Sequence, residues 1–230
     1  MSKGGIEPPT GTRQGSGMRR VSSMSSPRLP YEFNRPLLTP RLVLRLMTTA
    51  DVDAVHAYQS RDDVCRYLLF EPRDRDRVSE YVGRYSQASR LAAEGDYLQL
   101  ALELRETEDA PGRLIGDSYF TIASIEHSRG EIGWTMHPDY TGRGYATEAA
   151  RAVLHLAFAT LGLHRVFAEL DPRNGASIAM CRRVGMREEA YFVRDMMFKG
   201  DWADTRVYAV LADEWRSQQE SLSKRVPAPG

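Results

Sequence analysis

Ile132-Gly133-Trp134-Thr135-Met136-His137-Pro138-Asp139-Tyr140-Thr141-Gly142-Arg143-Gly144-Tyr145-Ala146-Thr147-Glu148-Ala149 runs from a strand, through a glycine-bearing loop, into a helix. The strand is predicted over Glu131 to Met136 and the helix from about Tyr145 to Leu161. Ala146, Ala149, Ala150, Val153, Leu154, Ala157, Phe158 and Leu161 share one helical face, and Gly162 ends it. Two glycines let the loop backbone approach a ligand closely. The helix that follows turns unpaired N–H groups and its positive dipole end toward the loop. Such a site suits a phosphate or pyrophosphate, and Arg143 adds a cation. A nucleotide-type cofactor is therefore expected, with a plain glycine turn as the alternative. A P-loop would end in Gly-Lys-Ser/Thr, and this loop runs on to Tyr-Ala-Thr. A dinucleotide fingerprint is nearer: Gly142-x-Gly144-x-x-Thr147, with Glu169 and Asp171 near the end of the next strand. Thr147 in place of the third glycine weakens it.

Working outward, Arg41 to Leu46 alternates as a strand. Thr48-x-x-Asp51 resembles a capping box opening a helix through about Gln59. A second helix is expected from Arg75 to Ala93, on the period of Val78, Tyr81, Val82, Tyr85, Ala88 and Ala92. Strands follow at Tyr97 to Leu104 and Arg113 to Ala123, joined by a turn at Pro111-Gly112. Beyond the long helix come a strand at Arg165 to Leu170 and a short helix from about Asn174 to Gly185. Two strands, Glu188 to Phe198 and Arg206 to Ala212, flank a Gly200-Asp201 turn. The order β-α-α-β-β-β-α-β-α-β-β predicts a mixed α/β (α+β) fold. Its sheet is mostly antiparallel, with one βαβ crossover and flanking helices.

The chain has 230 residues, with 31 Lys and Arg against 31 Asp and Glu. A formal charge of zero argues against a protein that lives by nucleic-acid contact. No apolar run approaches the roughly 18 to 20 residues of a membrane span. Cys65 and Cys181 lie far apart with no CxxC, against a disulfide scaffold or a thiolate zinc site. The expectation is a cytoplasmic protein without a metal. Residues 1–30 contain five Gly, six Ser and four Pro and read as a disordered tail, basic through Lys3, Arg13, Arg19, Arg20 and Arg28. Residues 31–216 form the predicted domain, and residues 217–230 a flexible C-terminal tail.

The quoted stretch resembles motif A of the GNAT (GCN5-related) N-acetyltransferases, and most closely the branch of ribosomal-protein N-terminal acetyltransferases. Four further blocks carry the likeness in order. Thr39 to Arg45 resembles the family's first strand, and Val64 to Phe70 the segment between its first helices. Asn174-x-x-Ser177 followed by Arg183-x-Gly185-Met186 resembles motif B. Trp202-x-Asp204-Thr205-x-x-Tyr208-x-x-Leu211 with Glu214-Trp215 resembles the final strand and end. The likeness spans about residues 38 to 215. Two positions depart from it. Thr141 stands where the loop usually opens with Gln or Arg, and Cys181 where many members carry a Tyr that reprotonates the CoA thiolate.

The resemblance implies the GNAT fold and direct attack of a primary amine on acetyl-CoA in a ternary complex. It implies cofactor contacts at Trp134, Thr135, Met136, Thr141, Gly142, Arg143, Gly144, Tyr145, Ala146, Thr147, Asn174 and Ser177. A backbone N–H near Trp134 to Met136 would polarise the thioester carbonyl. Glu131 is the favoured base, with Glu126, His127 and His137 as other candidates. An α-amino group, with a pKa of about 8, needs little help. Ser177 is the favoured acid, or else a helix-capping residue. Cys181 is read chiefly as a packing residue. Asn174 reads both as a helix N-cap and as a pantetheine contact, and Glu148 as a loop tie or a first-turn acid. Tyr67, Leu69, Phe70, Tyr191, Phe192 and Trp202 are candidate acceptor walls. The expected partners are acyl-CoA and a peptide N-terminus or small amine, on a monomer or homodimer. The alternatives are a non-catalytic CoA- or partner-binding module of the same fold and an NAD(P)-linked oxidoreductase.

Overall fold

An eight-stranded sheet organises the described residues, its strands lying side by side in chain order except that the last two are exchanged. The computed structural model describes residues 26–107 and 112–223. Two short strands, β1 (Tyr31–Glu32) and β4 (Arg90–Leu91), pair apart from it. The sheet comprises β2 (Leu37–Leu38), β3 (Leu42–Leu46), β5 (Tyr97–Leu104), β6 (Arg113–Ser124), β7 (Arg129–Met136), β8 (Arg165–Leu170), β9 (Arg187–Phe198) and β10 (Asp201–Leu211). All of its pairings are antiparallel except β7 with β8. The expected mixed α/β architecture is the observed one. A sheet with a single parallel pairing is not the doubly wound sheet that dinucleotide cofactors use.

Alternation along the strands gives each sheet face its own core. On one face lies α4 (Tyr145–His155), continued by a π-helical turn at Leu156–Thr160. Ala149, Ala150, Val153 and Leu154 press onto Leu100, Phe120, Ile132 and Val166. On the other face, α1 (Val52–Gln59) and α3 (Arg75–Tyr85) bury Val55, Tyr58, Val78 and Val82 against Met47, Ala101 and Leu114. Between these two helices lies the single turn α2 (Asp62–Cys65). The predicted capping box at Thr48 and Asp51 is present.

Four expectations need correction. Helix α3 ends at Tyr85 rather than near Ala93: the backbone leaves the helix so that Ser89 can accept from the Phe33 amide and β4 can pair with β1. The Asp96 carboxylate then takes the Ala92 and Ala93 amides at 2.6 and 2.8 Å. The last strand begins at Asp201, not Arg206, because its first residues pair with Met196 to Phe198. The ordered body passes the expected boundary at 216, since α6 (Ala212–Ser223) covers part of the segment expected to be flexible. At the other end, the body reaches back into the expected tail, where the Arg28 amide donates to Leu161 O at 2.7 Å. Residues 1–25, 108–111 and 224–230 lie outside the described residues, and so do the remainder of the N-terminal tail, Pro111 of the expected turn and the last part of the C-terminal tail.

One feature of the register positions the site. β7 and β8 pair only over Arg129↔Arg165, Gly130↔Val166 and Glu131↔Phe167. Past that point the strands part, while β7 stays paired to β6 through Gly116↔Met136. The edge of β7 from Ile132 to Met136 is left without a neighbouring strand on the β8 side. The chain after β8 turns into α5 (Gly175–Arg183) and closes the far side of the gap.

Candidate active site

A cleft of about 1210 Å³ opens at this parting. Its walls come from the 38–41 segment, the 63–68 segment, Trp134 to Met136, the glycine loop, the start of α4 and the start of α5. The loop is shaped by Gly142 at φ +72° and Gly144 at φ +82°, left-handed positions that a side chain would strain. The first intrahelical bond of α4 runs from the Glu148 amide to Gly144 O at 3.0 Å. The amides of Tyr145, Ala146 and Thr147 therefore precede that ladder and turn toward the cleft end.

Glu148 resolves as a loop tie. Its carboxylate accepts from Thr39 Oγ1 at 2.6 Å, from the Arg41 amide at 2.9 Å and from Arg41 Nε at 2.7 Å. Burial pushes this carboxyl up, but those donors outweigh it and hold it below the usual glutamate range. Arg41 also donates to Arg143 O at 3.1 Å and stacks 4.4 Å over the Tyr145 ring. It clamps the loop to the first strand, a role the sequence did not reveal because its partners lie about a hundred residues away. Arg41, Arg151 and Arg183 line the cleft, so the loop end is cationic.

Of the expected cofactor contacts, Trp134, Thr135, Met136, Thr141, Gly142, Gly144, Tyr145, Ala146, Thr147, Asn174 and Ser177 line the cleft. Arg143 does not; its guanidinium lies 5.7 Å from the Tyr140 ring centroid. Trp134 Nε1 donates to Ser177 Oγ at 3.2 Å, joining the β7 edge to the start of α5. That bond leaves the serine's own proton free to donate. Asn174 is the N-cap of α5, its Oδ1 accepting from the Ser177 amide at 3.1 Å. Cys181 is fully buried outside the cleft lining, and burial pushes its thiol up to about 12. It packs in the core and does not reach the cleft.

Glu131 is the last β7 residue paired to β8, at the point where the strands begin to part. It does not line the cleft and is half-buried on the opposite sheet face from α4. Burial, then the Glu169 carboxylate, raise its pKa. A raised carboxylate is a better proton acceptor, which is what a base requires. Glu126 and His127 are exposed at the β6–β7 turn, and His137 Nδ1 accepts from the Asp139 amide at 3.3 Å. Tyr67 lines the cleft and, with Trp202, a smaller adjoining cavity; Leu69, Phe70, Tyr191 and Phe192 line neither.

Among the described residues no group of three His, Cys, Asp or Glu side chains could hold a metal, and no helix is long and apolar enough to cross a membrane. The residues present do fit an elongated phosphate-bearing thioester. Helix amides and arginines stand at one end, an unpaired strand edge in the middle, and a hydroxyl near the parting.

A family model described as an acetyltransferase (GNAT) domain matches residues 41–187. The uncharacterized N-acetyltransferase YnaD of Bacillus subtilis (strain 168) is 31% identical over 179 residues, 78% of this chain and 98% of that protein. The crystal structure of a GNAT-family acetyltransferase from Bacillus anthracis superposes with a TM-score of 0.68 at 30% identity, covering 77% of this chain and 99% of that one. A more distant relative is the ribosomal protein uS5-alanine N-acetyltransferase of Escherichia coli (strain K12), 24% identical over 80% of this chain and 96% of that protein.

Proposed function

The chain belongs to the GNAT family and is an acetyl-CoA-dependent acetyltransferase, and on that premise we propose that it acetylates a primary amine, with a peptide N-terminus as the favoured acceptor. The observation that carries the reading is the parting of β7 from β8, with Trp134 and Ser177 joined across it.

Bound acetyl-CoA supplies the activated acyl carbon. The glycine loop and the α4 amides hold its phosphates, and the Ile132–Met136 edge pairs with its pantetheine arm as an added strand would. A β7 amide near Trp134 donates to the thioester oxygen. Glu131 takes the proton that leaves the attacking amine. Ser177, oriented by the Trp134 indole, passes a proton to the departing sulfur and takes another from cleft water in the same step. One proton leaves nitrogen, one reaches sulfur, and an amide and a free thiol result.

An α-amine fits a site with a single half-buried carboxylate base, because about a tenth of it is already neutral at pH 7. The uS5-alanine relative supports the N-terminal acetyltransferase branch, although shared fold does not fix the acceptor.

The test is release of free CoA thiol from acetyl-CoA against a panel of peptides and amines, beside a thermal shift with acetyl-CoA, longer acyl-CoAs and NAD(H). Stabilisation of about 2.7 kcal/mol is expected at a hundredfold excess over the dissociation constant. Ser177→Ala should lower kcat roughly 100-fold or more. Glu131→Gln should remove the acidic limb of the kcat/KM profile. No acetyl-CoA shift, or full activity in both variants, would overturn the assignment.

A further inference from the structure

Beside the cleft lies a second cavity of about 320 Å³, built where three separate segments converge. Arg66 enters it from the end of α2, Arg173 from the β8–α5 connection, and Lys199 from the β9–β10 turn. Tyr67, Phe198 and Trp202 wall it, and Asp201 is its one carboxylate, accepting from the Trp202 amide at 2.8 Å.

The three cations differ in how far they are committed. Arg173 forks onto Asp171, with Nη2 to Oδ2 at 2.6 Å. Lys199 Nζ donates to Cys65 O at 2.8 Å and lies 3.2 Å from Glu71, whose side chain is 63% exposed and free to swing away. Arg66 has no hydrogen bond or ion pair among the described residues. One guanidinium is thus uncommitted, and one ammonium has a partner largely in water.

The backbone adds a separate observation. Lys199 and Gly200 form the two-residue turn between Phe198 and Asp201, with φ of 50° and 87°. The first position of such a turn favours Asn, Asp or Gly, and a lysine there costs about 1 kcal/mol. Its side chain is only 24% exposed and reaches back into the cavity. Strain spent on placing a cation is a mark of use.

The cavity adjoins the transfer site. Tyr67 lines both, and Arg173 directly precedes Asn174 in the cleft wall. Glu169, at the parting, is four residues before Arg173, so at most about 14 Å of chain separates them. The acidic groups at the parting and the cationic cavity form a bipolar surface.

We infer that this cavity binds a carboxylate carried by the amine acceptor, as an acidic side chain close behind a peptide N-terminus does. The inference rests on the acetyltransferase reading and adds acceptor choice to it. Arg66 and Lys199 hold the carboxylate, with Arg66 closing on it bidentately, while the amine lies toward Glu131 and Ser177.

The probes are three hexapeptides with free N-termini, identical except for Asp-Asp, Asn-Asn or Lys-Lys at positions two and three, together with glutamate and glutamine as small acceptors. The intact enzyme should favour the Asp-Asp peptide over Lys-Lys by at least tenfold in kcat/KM. Arg66→Glu should invert that order, and Lys199→Asn, which suits the left-handed turn, should lower it severalfold through KM. Inversion is an outcome misfolding cannot produce. A preference for glutamate over glutamine with no peptide turnover assigns the carboxylate to a small acceptor. An acetyl-CoA thermal shift accompanied by no acidic preference, or by one unchanged in Arg66→Glu, overturns this inference alone. Absence of the shift overturns the acetyltransferase reading and this one with it.

Discussion

Asp117 is fully buried on β6, directly opposite Thr135 of the edge strand. Tyr58 Oη and Gln59 Nε2 face its Oδ2, and Gln99 Nε2 donates to Oδ1 at 2.7 Å. Burial raises its pKa to about 6, against the opposing pull of Tyr58, Gln59, Arg73 and Thr135. The folded state therefore binds this proton more tightly than the unfolded chain, whose value is 3.8. The stabilisation from that proton is fully present below about pH 4 and is lost as pH rises through 6. Asp117→Asn removes the titration; its oxygen can still accept from Gln99, and its amide can donate to the Tyr58 phenol oxygen where the carboxylate accepted from it. Between pH 4 and 7 the stability of the parent should fall relative to the variant by about 2 kcal/mol, read from paired denaturant titrations. Parallel curves would show that Asp117 does not titrate in that range. None of this was legible in the chain, because Tyr58, Gln59, Gln99 and Asp117 meet only once α1 lies on the sheet. The same holds for the Glu131–Glu169 proximity, which depends on a three-pair register between strands separated by a helix.

The loop and α4 act as one element. Gly144 is the N-cap of α4, and a Cβ there would come within 3.5 Å of Arg41 Nη2. Gly144→Ala should cost about 1 kcal/mol for the left-handed backbone. The added methyl meets Arg41 only in ordinary contact, so the cost falls on the loop backbone whose conformation presents the α4 amides. Weakening of acetyl-CoA affinity by roughly tenfold is expected in titration calorimetry, with acceptor KM unchanged. This element was readable in advance because its signals are local: two glycines, an acid in the first turn and an apolar stripe at helical spacing. Helix α3 shows the limit of the same method. Ala88 and Ala92 fit its period, but alanines on a stripe bury too little to hold a turn against competing partners. Those partners, Phe33, β1 and Asp96, are tertiary or loop contacts that periodicity does not report. The start of β10 was missed for a related reason: Trp202 to Asp204 shows no alternation, since both faces of that hairpin end are open to solvent.

At the scale of the molecule, one sheet serves two cores. Phe120 belongs to the α4 side and Met47 to the α1–α3 side, and both are essentially inaccessible. Truncation of either should destabilise the whole: about 3 to 5 kcal/mol for Phe120→Ala and 2 to 5 for Met47→Ala. Because the two cores share β5 and β6, both variants should keep a single unfolding transition, coincident by circular dichroism and tryptophan fluorescence. Two separated transitions would mean that the faces unfold independently. The mixed architecture and the crossover were legible from element order. The place where the sheet opens was not, because strands β7 and β8 look like an ordinary parallel pair until their register is known.

That opening makes the sheet a zipper with one run of teeth left undone. An unpaired strand edge is what aggregating chains seek, and proteins normally blunt it with charge, proline or a bulge. Here the edge from Ile132 to Met136 ends at Pro138 and lies in a cleft rather than at the rim. If pantetheine completes the ladder, the substrate also acts as a plug, and turnover and self-protection share one set of amides. Exchange of those Gly133 to Met136 amide protons that face the cleft, and not of those bonded to β6, should then slow with acetyl-CoA bound. A chain starved of its thioester would be the one most exposed to pairing with the wrong strand.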